Sequence, residues 1–159
     1  MLILMAAIAL PDLRNLLLRQ RAVTTQNMLA AHLQLARSAA IWKRRRIQVC
    51  PSNDGSTCAQ GTDWSRRWLV FVDGDGDGQP NRQADIIRQT AAPSPDAVVI
   101  RSNPGRTHVR YLPDGRSAGS NQTISICDHQ ANLLAAVIVN NSGRVRSATP
   151  SSQNRRCPK

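Results

Sequence analysis

The sequence predicts an α+β protein in which one long N-terminal α-helix packs against an antiparallel β-sheet head. The first 46 residues contain no glycine, have a single proline at Pro11, and are rich in Ala, Leu, Arg and Gln, which favour helix. The rest alternates between short apolar runs and clusters of Gly, Pro, Asn, Asp and Ser, as strands and turns do. We therefore divide the chain into a helix at 1–46 and a β-rich head with a basic tail at 47–159.

The helical segment has two parts with different surfaces. Residues 1–10 are wholly apolar and carry no basic leader, so they resemble the end of a longer apolar segment. Further along, Leu29, Leu33, Ala36 and Ala40 recur at steps of four, three and four, which places them on one helix face. We expect the apolar front to suit a membrane or a bundle of like helices, and the stripe to dock against a sheet.

Eight short strands are predicted in the head. The run 68–72 is apolar throughout, which indicates a central strand. The run 133–139 is a second buried strand, and the turn residues 140–143 after it indicate a hairpin. The other predicted strands are 47–50, 84–90, 97–102, 107–112, 123–127 and one that starts at 144–146.

The charge is strongly positive and concentrated at the two ends of the chain. Lys and Arg number 21 against 10 Asp, for a net charge of +11, and there is no Glu. Residues 1–46 carry eight basic residues and one Asp. Residues 47–100 carry four basic residues and seven Asp, and residues 101–159 carry nine basic residues and two Asp. Nineteen of the basic residues are Arg, which grips phosphate bidentately. This distribution favours a polyanionic partner over a merely soluble surface.

Four cysteines indicate two disulfides. An even count beside a membrane-type N-terminus suggests an oxidising compartment. Three pairings are possible, and we favour Cys50–Cys58, which closes a short loop, with Cys127–Cys157, which ties down the tail. A zinc site is the competitor, but there is no Cys-x-x-Cys and the three His are scattered.

An Asp/Gly loop follows the central strand. Asp73, Asp75 and Asp77 occupy positions one, three and five of a calcium loop, with Gly78 at position six. Position twelve is Ala84, where such loops place a bidentate Glu, and Asp85 comes one residue late. The loop is therefore only a weak calcium candidate, and a solvated turn between strands is the alternative.

Two basic segments are candidate phosphate-binding sites. In a strand, Arg144 and Arg146 would share one face, with Cα atoms roughly 7 Å apart, which suits two neighbouring phosphates. Arg155, Arg156 and Lys159 follow, and a Cys127–Cys157 bridge would hold them near the sheet. The alternative is an edge strand guarded by charges against aggregation. At the helix end, Trp42 and the run 43–46 would either bind phosphate or complement the helix dipole.

Catalysis has little support in the sequence. His108 and His129 would suit a ribonuclease-like hydrolase by general acid–base chemistry, but no residue pairing marks a site. We expect a protein that is not an enzyme and needs no cofactor.

Four stretches resemble the GspH/FimT family of minor type IV pilins and pseudopilins. They are residues 35–43 at the helix end, 49–58 with its two cysteines, 68–73 with the Asp/Gly loop, and 143–146. The last one, Gly143-Arg144-Val145-Arg146, resembles the Gly-Arg-x-Arg motif of the FimT branch.

This resemblance implies a type IV pilin-like fold and a low-abundance subunit near the fibre tip. The apolar helix front would lie in the bacterial inner membrane as a single pass, and would then pack with other major and minor pilins in a pilus or pseudopilus at the cell surface. The FimT-like branch implies that Arg144 and Arg146 bind double-stranded DNA during uptake for natural transformation. The alternative is a structural GspH-like pseudopilin of a type II secretion tip that binds no DNA.

The sequence departs from the family at its start. The basic leader, the Gly–Phe cleavage site and the Glu five residues into the mature helix have no counterparts here. We expect that the chain as given begins inside the apolar segment. Leader processing and Glu-directed packing are therefore assigned to no residue.

Overall fold

A long helix and eight strands make up the fold. The computed structural model describes residues 2–117, 119, 121–150 and 156–157, with side chains from residue 13 onwards. Helix α1 spans Leu2–Lys43. The strands are β1 (Ile47–Ser52), β2 (Arg67–Val72), β3 (Ile86–Ala91), β4 (Val99–Ser102), β5 (Val109–Tyr111), β6 (Gln122–Cys127), β7 (Leu133–Val139) and β8 (Val145–Ala148).

The strands form two antiparallel sheets of four strands each. The first sheet has the order β3-β2-β1-β5 and the second has the order β4-β6-β7-β8. Strands β2 and β7 lie inside their sheets, as their apolar runs predicted, whereas β8 lies at an edge. The α+β class, with a helix packed on antiparallel sheets, is confirmed.

The predicted helix stripe forms the centre of the core. Leu29, Leu33, Ala36 and Ala40 are all fully buried. They pack in one apolar cluster with residues of both sheets, among them Trp68 of β2. The small alanines on the last turns allow the sheets to approach the helix closely, so the head is fixed on the C-terminal half of α1.

A smaller apolar cluster covers the other face of the first sheet. It contains Cys50, Leu69 and Phe71, with Cys58 and Ile86 packed against it. The Cys50–Cys58 disulfide holds its loop over this face. The second bridge joins Cys127 to Cys157. Both pairings are those favoured from the sequence.

Polar side chains of the helix also bind the sheets. The Trp68 indole Nε1 donates a hydrogen bond of 2.9 Å to His32 Nδ1. The Gln26 amide donates to the carbonyl oxygens of Ala136 on β7 (2.8 Å) and Ala148 on β8 (2.9 Å). Because Ala136 and Ala148 face each other in the ladder, this one amide fixes both strands to the helix.

The helix ends three residues earlier than the prediction at residue 46. It stops at Lys43, and Arg44 takes a left-handed conformation with φ of 51°. The strand β1 must begin at Ile47, so the chain turns over residues 44–46 instead of continuing as helix. Strand β3 likewise starts later than predicted, because a 3-10 turn occupies Gln83–Asp85. Within the described residues, no helix has enough consecutive apolar length to cross a bilayer.

Candidate nucleic-acid interface

The β7–β8 hairpin presents Arg144 and Arg146. Gly143 N donates to Asn140 O (2.9 Å), which closes the predicted turn, and Asn140 N donates to Arg144 O (3.2 Å). The Asn140 side chain also accepts from Arg144 N at 2.9 Å. These bonds fix the backbone of Arg144 immediately before β8, where Arg146 lies opposite Ile138.

Gly143 is required by the packing of this turn. Its φ is +79°, and a Cβ built on it would lie 2.0 Å from the carbonyl oxygen of Gly115. A side chain would therefore be strained by the backbone conformation and would also meet a neighbouring turn. The glycine of the Gly-Arg-x-Arg stretch thus allows two turns to meet, and Arg144 directly follows their junction.

Arg37 of the helix joins these two turns. Its Nε donates to Gly115 O at 3.1 Å, and its Nη2 donates to Ser142 O at 3.3 Å. Ser117 N adds a bond of 3.1 Å to Asn141 O. A guanidinium has donors in a fixed fork, so it sets the distance between the two carbonyl groups. The hairpin is therefore held by the helix as well as by its own sheet.

Arg144 and Arg146 flank Val145, and a shared face for their side chains stays a prediction. Both are exposed, while Val145 between them is half-buried against the core. Among the residues that the structure describes, neither guanidinium forms an ion pair with a carboxylate. An exposed pair of cations without an internal counter-charge is free to meet an external anion.

The tail is fixed at the other end of β7. Cys157 N donates to Ala131 O at 2.9 Å, and exposed Arg156 pairs with Asn132 just before β7. Arg146 lies opposite Ile138, six residues further along, which corresponds to about 20 Å. The bridge therefore holds Arg156 near the sheet, as expected, but at the opposite end of β7 from the hairpin arginines. Arg155 and Lys159 lie outside the described residues.

The helix end contains a second group of cations. Trp42, Lys43, Arg44 and Arg45 are all exposed. Arg46 is different, because its Nη1 lies 3.8 Å from the buried Oδ2 of Asp73. The predicted basic run is thus divided into one neutralised arginine and three exposed cations.

The Asp/Gly loop brings its three carboxylates together. One oxygen each of Asp73, Asp75 and Asp77 lies within 4.8 Å of the other two. Asp73 Oδ1 accepts from Gly76 N (3.0 Å) and Gly78 N (3.4 Å).

Other contacts engage Asp75 and the late-placed Asp85 of the calcium pattern. A bond from Asn81 Nδ2 to Asp75 Oδ2 (2.7 Å) is the main reason that the Asp75 pKa is lowered. Asp85 pairs with Arg82 at 3.3 Å, so it offers no fourth carboxylate to the loop. The loop therefore already has a cation in Arg46, and calcium binding by it stays a prediction.

Sequence reasoning missed Arg37 and the Gly143–Gly115 contact. Arg37 lay within a stretch that resembled the family, but its role depends on carbonyl groups 78 and 105 residues away. It also missed the pairing of Arg46 with Asp73, although Arg46 directly precedes β1 and Asp73 directly follows the neighbouring antiparallel strand β2. Nearby Arg116 pairs with Asp114 at 2.7 Å, so it is partly neutralised.

Comparison with known proteins identifies the family. Residues 25–143 match the family model described as Type II transport protein GspH. This match includes the buried helix stripe, strands β1 to β7 and the hairpin turn, and it ends before Arg144 and β8. No curated protein has a sequence significantly similar to this one.

Solved structures share the fold. The Pseudomonas aeruginosa type IV minor pilin FimU is similar with a TM-score of 0.66 and 18% identity, over 86% of this chain and 93% of that one. The Vibrio cholerae minor pseudopilin EpsH is similar with a TM-score of 0.58 and 17% identity, over 83% of this chain and 99% of that one. Escherichia coli GspH is similar with a TM-score of 0.51 and 16% identity, over 82% of this chain and 89% of that one. These likenesses establish the type IV pilin-like fold, and the family match establishes that the chain belongs to the GspH family.

Proposed function

We propose that this protein is a minor type IV pilin that binds double-stranded DNA non-specifically during uptake for natural transformation. The observation that carries this proposal is that Arg144 and Arg146, two residues apart, are both exposed and have no carboxylate partner among the described residues. Binding and assembly, not catalysis, are the proposed activities.

The geometry suits a nucleic-acid backbone. Alternate residues of an extended strand are roughly 7 Å apart, so two guanidinium groups can contact successive phosphates. Contacts of this kind position the protein on DNA and carry little sequence information. The turn is held by Asn140, Gly143 and Arg37, so the backbone that carries Arg144 is fixed before DNA arrives. The net charge of +11 supplies a long-range attraction to the polyanion.

Assembly would use the exposed part of the helix. Leu13, Leu16 and Leu17 are 50–55% exposed. Such exposure of apolar side chains to water is unfavourable, and it suits packing against helices of other pilins. The apolar residues before them would hold the subunit in the inner membrane as a single pass, with the head in the periplasm. After assembly into a pilus, the head would be displayed at the cell surface.

A second candidate is a structural pseudopilin of a type II secretion tip. Two observations favour it: the fold is shared with EpsH from such a system, and β8 is an edge strand, which charged residues protect from aggregation. In this case the head contacts other tip subunits and has no measurable DNA affinity at moderate salt.

A mobility-shift titration separates the two candidates. We expect Arg144→Ala combined with Arg146→Ala to weaken duplex binding by about tenfold, because two charge-assisted contacts are lost. The matched control is Arg88→Ala with Arg101→Ala, which removes two exposed arginines from the edge strands β3 and β4. Equal binding by the two double variants would contradict the proposed DNA site.

A further inference from the structure

Trp42 is the most exposed large apolar side chain among the described residues. It is 87% exposed, whereas the other exposed apolar side chains of the helix are 45–55% exposed. The remaining two tryptophans, Trp64 and Trp68, are fully buried. An indole left this open at the end of a packed helix contributes nothing to the core, so its role lies outside the fold.

Three exposed cationic residues follow Trp42 in the chain. They are Lys43, Arg44 and Arg45. Among the described residues none of the three forms an ion pair, in contrast to Arg46. Complementing the helix dipole accounts for Lys43 in the last turn but not for an exposed aromatic ring.

The helix end and the arginine hairpin lie at one end of the head. Ile41, next to Trp42, approaches Gly115 so closely that a Cβ there would lie 2.8 Å from its Cδ1. Gly115 in turn meets Gly143, immediately before Arg144. A nucleic acid held by Arg144 and Arg146 would therefore reach the helix end without leaving this surface.

We propose that Trp42 stacks on an unpaired nucleobase while Lys43 and Arg44 hold the flanking phosphates. This inference rests on the proposed DNA binding and adds a preference for single-stranded tails at DNA ends. An aromatic face beside cations is the combination that binds single strands without sequence preference, because every base has a π-face. A protein partner would have to be both aromatic-binding and acidic, whereas one DNA strand supplies both features.

Trp42 provides its own spectroscopic test, since it is the one exposed tryptophan of the three. The full chain in neutral detergent is titrated with a single-stranded oligonucleotide, a blunt duplex of equal length and an abasic oligonucleotide. We expect the single strand to quench the exposed indole emission and the abasic strand to leave it unchanged. Trp42→Ala should weaken single-strand binding by about tenfold and blunt-duplex binding less than about twofold.

Two variants make the interpretation specific. Trp42→Tyr retains an aromatic face and should restore most of the single-strand affinity. Val23→Ala shortens another exposed apolar side chain of the helix and should change nothing. Equal quenching by the abasic strand, or an equal loss of affinity for all three probes in Trp42→Ala, would overturn base stacking.

The Arg144→Ala and Arg146→Ala double variant separates this inference from the proposed function. Weaker binding of both single strand and duplex by that variant, with quenching retained at saturation, supports both. Unchanged duplex binding by the variant contradicts the hairpin site, while base-dependent quenching would still support Trp42. If the single strand does not quench the Trp42 emission, but the arginine double variant loses DNA affinity as expected, only the role of Trp42 is overturned.

Discussion

Two turns of the head differ in how their charges are balanced. The Asp/Gly loop gathers three carboxylates and has Arg46 beside its buried Asp73. The β7–β8 hairpin presents Arg144 and Arg146, with no carboxylate partner among the described residues. Both turns are tightly hydrogen-bonded, so the difference is in the counter-charge and not in rigidity. An arginine-rich segment becomes a candidate binding surface only where the fold leaves its charge uncompensated.

The largest expected effect on stability is at Gly143, which lets the hairpin turn pack against the turn at Gly115. Gly143→Ala should lower the free energy of unfolding by about 3 kcal/mol, because a left-handed backbone and a collision with Gly115 O add together. Chemical denaturation measures this. Gly105→Ala is the control: its φ is +75° but no atom lies within 4 Å of its Cβ position, so about 1 kcal/mol is expected. Equal losses would show that the contact between the turns is unimportant.

A substitution at Asp73 tests the Asp/Gly loop, where Arg46 balances the carboxylate charge. Asp73→Asn keeps an oxygen for the amides of Gly76 and Gly78 but removes the charge facing Arg46. We expect a loss of about 1 kcal/mol, since the buried Asp73 loses its charge but the Arg46 side chain is 39% exposed and solvent screens the pair. Asp77→Asn removes an exposed charge from the same loop and should stay within about 0.5 kcal/mol of the parent. Similar melting of the two variants would contradict a specific role for the Asp73–Arg46 pair.

Acid should weaken the contact between the helix and the first sheet at His32. Burial, and then the nearby Arg88, lower the pKa of His32 below its ordinary 6.5. The unfolded chain therefore binds the proton more readily, so stability is at its full value above about pH 6.5 and falls as the pH decreases through the lower folded pKa. His32→Gln should flatten this slope in denaturation curves at pH 5 to 8.

Burial lowers the pKa of His108 in the same direction, so a residual slope belongs to that group. We expect the DNA affinity of the folded protein through the hairpin arginines not to follow this curve. An unchanged stability slope in His32→Gln would exclude His32 as its source.

The smallest expected effect is at Arg116, which lies close to the hairpin but is paired. Its Nε lies 2.7 Å from Asp114 Oδ2, and both side chains are exposed. Because its charge is already compensated, Arg116→Ala should weaken duplex binding by less than about twofold. A loss as large as that of Arg144→Ala, measured in the same titration, would show that pairing does not decide which arginines bind.

The sequence predicted what depends on local pattern. The stripe through Leu29 and Leu33, the central β2 strand and both disulfide pairings followed from periodicity, composition and spacing. It did not predict the contacts between distant turns, such as Arg37 with Gly115 and Ser142, because they depend on how the two sheets meet. For the same reason it did not predict that Arg156 and Arg146 lie at opposite ends of β7.

The salt dependence of duplex binding tests the DNA site most directly. Each phosphate contact contributes about 0.9 to the slope of log K against log salt concentration. Removing Arg144 and Arg146 together should make this slope shallower by about 1.8, while the Arg88 and Arg101 double variant keeps nearly the parental slope. Identical slopes for all three proteins would contradict the claim that these two guanidinium groups hold DNA phosphates.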